Sequence, residues 1–106
     1  MAKYLVKGSY TAEGTKGLLK EGGSKRKAQV NAMVEGLGGT VESFYYALGA
    51  TDVYVIVDIP DSVSAVAVSL AVNSTGAVEL STTPLFTVEE MDEACAKTVS
   101  YRAPGA

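Results

Sequence analysis

The stretch TVESFYYALGATDVYVIVDIPD, residues 40–61, sets the strongest constraint on what this chain can fold into. Two runs rich in β-branched and aromatic residues, 40–48 and 52–59, flank Gly49-Ala50-Thr51. That is the pattern of two strands folded back on each other through a glycine-containing turn. Pairing Leu48 with Val53 sets Tyr46 opposite Val55 and Phe44 opposite Val57. All of these side chains then share one face, because side chains alternate along a strand. The other face takes Val41, Ser43, Tyr45 and Ala47 with Tyr54, Ile56 and Asp58. Both faces are largely apolar, and a sheet of that kind needs cover on each side, from helices or from another sheet.

The flanking segments supply partners for this hairpin. Residues 2–10 alternate as a first strand, with Tyr4, Val6, Gly8 and Tyr10 on one side and Lys3, Leu5 and Lys7 on the other. Thr11 opens a short helical or turn segment weakened by Gly14 and Gly17. Gly22-Gly23 breaks it, and Ser24 is the expected N-cap of a helix over about residues 25–37, with Val30, Met33, Val34 and Leu37 on its buried stripe. Gly38-Gly39 ends that helix. Pro60-Asp61 then caps a helix over about 62–73, with Val63, Val66, Ala67, Leu70 and Ala71 as its expected buried stripe. A fourth strand over 77–86 follows, with Val78, Leu80 and Thr82 alternating against Glu79, Ser81 and Thr83, and Pro84 places its far end at a sheet edge or a bulge. Thr87-Val88-Glu89-Glu90 is a capping box for a last helix to about residue 98, and a tail over 99–106 is expected to fray.

The order is β-α-β-β-α-β plus an added helix, so the expected fold is α+β, a ferredoxin-like antiparallel sheet with its helices on one face. A single domain over residues 1–98 accounts for the length, since a chain of about a hundred residues buries roughly 65% of its unfolded surface. Hydrophobic residues make up 47% of the sequence, enough for a core and for a subunit contact. The sheet face that no helix reaches is expected to carry tyrosines and aliphatics, and pairing with a second copy would cover it. A homodimer or higher homo-oligomer through that face is the partner expectation.

Charge and reactive side chains narrow the function classes. A net charge of −3 excludes the basic face a nucleic-acid binder needs. No apolar run suits a membrane span and MAKYLVKGSY lacks a secretory signal, so a cytoplasmic protein without membrane association is expected. The sequence has no histidine, which removes the commonest general base and metal ligand; neither a cofactor nor a metal is expected. The one cysteine, Cys95, falls on a helical stripe with Val88, Met91 and Val99, and reads as a buried or half-buried packing thiol. Glu89, Glu90, Asp92 and Glu93 suit the first turns of a helix by its dipole.

Four residues form a candidate ligand site, Tyr45, Tyr54, Asp58 and Asp52. Asp52 either accepts backbone N–H bonds at the turn or faces a pocket at the sheet end. Asp58 is either a solvated strand-end carboxylate or a partner for the phenols of Tyr45 and Tyr54. Together with Tyr4, Tyr10 and Tyr46, these tyrosines suit a subunit interface or the lining of an apolar cavity. Ser24, Lys25 and Arg26 form a candidate anion site at a helix start, against the plainer reading of a solvated basic patch; the spacing is not that of a P-loop.

One family combines these features in this order. Tyr10-Thr11-Ala12-Glu13-Gly14, Arg26, Leu37-Gly38-Gly39, Phe44-Tyr45, Leu48-Gly49 leading to Asp52-Val53, Val55-Ile56-Val57-Asp58-Ile59-Pro60-Asp61 and a late Phe86-Thr87 resemble the GYD-domain proteins over nearly the whole chain. The naming motif is Gly-x-Tyr-Asp, whereas this chain has Gly49-Ala50-Thr51-Asp52, with threonine in the tyrosine's place. The resemblance implies a ferredoxin-like fold related to the dimeric α/β-barrel proteins and assigns no reaction. Two functions from different classes remain open on this reading. One is a self-associating domain that binds a small molecule or a partner chain. The other is a cofactor-independent enzyme acting on a small, partly aromatic substrate between helices and sheet, with Tyr45, Tyr54 and Asp58 orienting it and moving protons.

Overall fold

A computed structural model describes residues 2–106. The chain runs β1 (Ala2–Tyr10), α1 (Ala12–Glu21), α2 (Gly23–Gly36), β2 (Thr40–Tyr46), β3 (Val53–Ile59), α3 (Ser62–Ser74), β4 (Val78–Leu85) and α4 (Val88–Ala96). The strands form one antiparallel sheet in the order β2-β3-β1-β4. This is the ferredoxin-like arrangement, with the first helical crossover divided into α1 and α2 and with α4 added after the last strand.

The core lies between the sheet and α2 and α3. β3 alone contributes Val53, Val55, Val57 and Ile59 to it, joined by Tyr4, Val34 and Ala65. Each such valine or isoleucine stabilises the fold by about 1.5–3 kcal/mol. α2 rests on β2, and α3 on β4 and β3, so the two helices sit over the flanks of the sheet. Pro84 lies on β4, which is an edge strand, where its missing N–H costs no ladder bond.

The hairpin is present with a different register. Tyr46 pairs with Val53 and Phe44 with Val55, two residues from the expected pairing. A shift of two preserves the faces, so Phe44 and Tyr46 still lie with the valines. Leu48, expected among them, stands beyond the strand end and is fully exposed at 101%. Nearer the start of β2 the register shifts between Val41 and Ser43. The extra residue, Glu42, is a β-bulge, and it turns Val41 onto the covered face, where Val41 packs against the core. Val41 was expected on the other side.

Three helix features differ from expectation. α2 begins at Gly23 after Gly22, which has φ 84° and no side-chain capping bond; Ser24 is therefore inside the helix and is not its N-cap. The positive φ of Gly22 lets the chain pass from α1 to α2 through that single non-helical residue. In α3, Asp61 is the cap as expected, accepting from Ser64 N–H at 2.7 Å, but the buried residues are Ala65 and Val68. Val63, Val66 and Leu70 face outward. Both sides of α3 are apolar, so its sequence carries no contrast from which to choose the buried one.

The third difference is α4. Its capping box forms, with Thr87 Oγ1 accepting from Glu90 N–H and Glu90 accepting from Thr87 N–H. None of its residues is buried, and Cys95, expected to pack, is exposed. The helix and residues 97–106 extend away from the body. The radius of gyration is accordingly 16.9 Å and the longest extent 57 Å, where a compact chain of about a hundred residues has a radius near 13 Å.

Candidate functional site

Because α2 and α3 cover the flanks of the sheet, a cleft opens over its two central strands. Its base is a cavity of about 60 Å³ lined by Val6, Val53, Val55 and Val57 from the sheet, by Val30 and Met33 from α2, and by Val68 and Val72 from α3. Above it a wider groove of about 400 Å³ runs between α1 and α3, bordered by Glu13, Gly17, Leu18, Glu21, Ala71 and Thr75. Tyr10, Arg26, Met33, Val72 and Val78 line both spaces and mark the neck between them.

Local structure fixes the neck from three directions. α1 is anchored where β1 ends: Thr11 N–H donates to Ala77 O at 3.0 Å, and Thr11 Oγ1 donates to Gly76 O at 2.8 Å. Gly14 brings α1 against the same turn so closely that a Cβ there would meet Ala77 O at 2.0 Å. The start of α2 is held by Tyr46, whose hydroxyl donates to Gly23 O at 2.9 Å while its ring meets Phe44 edge-on at 5.2 Å. One turn into α2, Arg26 Nη1 donates to Gln29 Oε1 at 2.8 Å. Among the described residues the ion pairs centre on Lys3, and Arg26 has no carboxylate partner.

Tyr10 at the neck and the nearby Tyr46 hold their protons. Burial pushes Tyr10 above its ordinary range, Arg26 alongside pulls it back, and the Asp52 charge adds to the rise. Tyr46 is raised by burial and by the neighbouring Tyr10, again with Arg26 opposing. The neck therefore presents the Arg26 guanidinium and the neutral Tyr10 hydroxyl above an apolar hole.

Asp52 supports this neck from outside it. Its Oδ2 accepts from Tyr10 N–H at 2.8 Å, its own N–H donates to Gly8 O at 2.9 Å, and its carbonyl accepts from Ala47 N–H at 2.7 Å. It ties the β2–β3 loop to the end of β1, and so fixes the backbone from which Tyr10 projects. Of the candidate anion residues, Ser24 and Lys25 are exposed on the outer side of α2, while Arg26 is half-buried and turns into the cleft. The structure does not bring the three together.

Tyr45, Tyr54 and Asp58 lie on the opposite side of the sheet. Tyr45 and Tyr54 are cross-strand partners, both exposed, and Asp58 shares Lys3 with Glu42 across three strands. Lys3 Nζ donates to Asp58 at 3.2 Å. Hydrogen bonding to Glu42, and then to Asp58, raises Lys3 above the ordinary lysine range. Leu5, Ile56 and Leu85 occupy the rest of this open face with Lys7, Ser81 and Thr83. It is less greasy than expected, because the bulge at Glu42 adds a carboxylate to it.

The reading of the sequence missed Tyr10 and Arg26 as a pair. A signal was available: Arg26, Val30 and Met33 fall on one helical stripe, so the buried side of α2 begins at the arginine. Among the described residues no group of acidic, cysteine or histidine side chains is placed to hold a metal, and no helix is long and apolar enough to cross a membrane. Comparison with curated proteins and with solved structures finds no match. The family model of the GYD domain matches residues 4–95, with all of the sheet but the first two residues of β1, both covering helices and the cleft inside the match, and the chain belongs to the GYD-domain family.

Proposed function

We propose that this chain is a self-associating domain in which two copies meet through their open sheet faces, each α4 lying against the other copy. The observation that carries the reading is apolar surface left without cover in two places. Leu5 and Ile56 at the middle of the open face are half-buried with no helix over them, Tyr45 beside them is exposed at 70%, and Val88 and Met91 of α4 are exposed at 75% and 55%. A capped helix with an apolar stripe and no packing partner is costly to keep in water.

Area argues for using both surfaces. Four strands at about 4.8 Å spacing and about 3.3 Å rise give a sheet face of roughly 500 Å², while a stable interface buries about 800 Å² per partner. The sheet face alone falls short, and α4 with Phe86 beside it supplies the remainder. Tyr45 and Tyr54 suit such a contact, offering large apolar rings with a hydroxyl that remains able to find water or a partner group.

The enzymatic reading has less support. It asks Tyr45, Tyr54 and Asp58 to converge on a substrate between helices and sheet, and those side chains stand on the far side of the sheet from the cleft. Sedimentation velocity tests the association: the wild-type chain is expected to run as a dimer or larger at micromolar concentration, and Leu5→Asp as a folded monomer. A wild-type chain that stays monomeric at hundreds of micromolar would overturn the proposal.

A further inference from the structure

We propose that the cleft over the central strands binds a small monocarboxylic acid with a compact apolar body, its carboxylate held by Arg26 and its body seated on the valines beneath. The site lies on the other side of the sheet from the proposed subunit contact, so the two proposals stand or fall separately.

The chemistry of the neck selects the head group. Among the described residues Arg26 is the only cation lining either space and has no carboxylate partner, and its fork of donors matches a carboxylate's two oxygens. Tyr10 stands beside it with a protonated hydroxyl able to donate. Glu13 and Glu21 border the outer groove, so a second negative charge on the ligand would be repelled. A monoanion fits and a phosphate dianion does not. The hole below offers apolar walls and a void, which only an apolar group fills with profit.

Gly17 gives an independent reason to read this cleft as a site. It lies inside α1, where glycine weakens a helix, and it borders the groove. Gly14 is forced by the close approach of Ala77 O, but a Cβ at Gly17 would meet nothing within 4 Å. No close contact requires that glycine, and a large side chain in its place would project over the groove.

Calorimetry and amide chemical-shift mapping on the whole chain test the proposal, with phenylacetate and hexanoate as probes and phenylacetamide, hexanamide and inorganic phosphate as controls. The acids are expected to bind and to shift amides of α1 and α2, with the amides at least tenfold weaker and phosphate without effect. Arg26→Gln is expected to lose tenfold or more. Gly17→Leu is expected to lose as much while melting no lower than wild type. The proposal is overturned if neither acid binds at millimolar concentration, if an amide or phosphate binds as well as the acids, or if Arg26→Gln or Gly17→Leu binds like wild type. The acid–amide comparison needs no variant, so it decides even if a substituted chain folds poorly.

Discussion

The two sides of one sheet are built on opposite principles. The covered side is mostly aliphatic, with Tyr4 in its core, while Tyr10 and Arg26 meet at the cleft near the end of β1. The open side mixes Leu5, Ile56 and two tyrosines with Lys3, Lys7, Glu42 and Asp58, and Lys3, Glu42 and Asp58 pair with each other across strands. The same backbone makes both, since residues next to each other in β3 point to different sides. Burial is therefore decided residue by residue, and the difference between the sides can be broken with single substitutions at neighbouring positions.

Val57 and Ile56 make the largest contrast. Val57 is 2% exposed in the core, so Val57→Asp buries an unpaired charge and is expected to cost on the order of 4 kcal/mol or more, enough to abolish cooperative unfolding in urea. Ile56→Asp puts the same carboxylate on the open side. The chain is expected to keep its circular dichroism spectrum and to lose only its self-association. If both variants unfold, the open side is as much core as the other, and the division drawn between them is wrong.

Asp52→Ala probes the hinge between the sides with a smaller effect. It leaves Tyr10 N–H without its carboxylate acceptor at the end of β1. A loss of about 1.5 kcal/mol in urea unfolding is expected, with faster amide exchange at Tyr10. Unchanged exchange there would mean that water replaces the carboxylate at no cost, and that Asp52 positions nothing.

Much of the covered side was legible in the sequence, and the reasons are local. Alternation in β1, β3 and β4 and the caps at Asp61 and Thr87 depend on residues within one element, and each is found where expected. The misses share a different cause. The register slipped by two because Ala47 and Leu48 look like strand but belong to the loop, and no local rule marks Glu42 as a bulge. The buried side of α3 was unreadable because Val63 and Val68 differ only in what lies opposite them. Tyr10 and Arg26 meet because α2 folds back over the end of β1, a long-range event. Cys95 is exposed, although its spacing with Val88 and Met91 is that of a packing stripe.

Thr87→Ala tests that stripe with an effect nearer 1 kcal/mol. It removes the side-chain half of the capping box and weakens α4 by about that amount. If α4 packs on a second copy, dimer melting is expected to fall and to depend on protein concentration, since helix formation and association are then linked. If α4 stands free, only amide exchange within residues 88–96 quickens and the melting temperature of the body does not move.

The smallest effect separates the two sides by electrostatics. Lys3 on the open side and Tyr10 on the covered side are both raised above their ordinary values of 10.5 and 10.0, for unlike reasons. Carboxylates hold the charged form of Lys3, whereas burial favours the neutral form of Tyr10. In each case the folded chain keeps a proton that the unfolded chain has begun to release, so stability is full below the ordinary value and is lost as pH rises through the raised one. Salt tells the two apart, because it screens the partly exposed pairs of Lys3 and leaves burial untouched. Titration of the Lys3 Cε resonance is expected to move back toward 10.5 between low salt and molar salt, while tyrosinate absorbance, with Tyr10→Phe identifying the late phenol, shows its transition in place. A Lys3 titration indifferent to salt would mean that its carboxylates are held as rigidly as the core, and the open side would then share the organisation of the covered one.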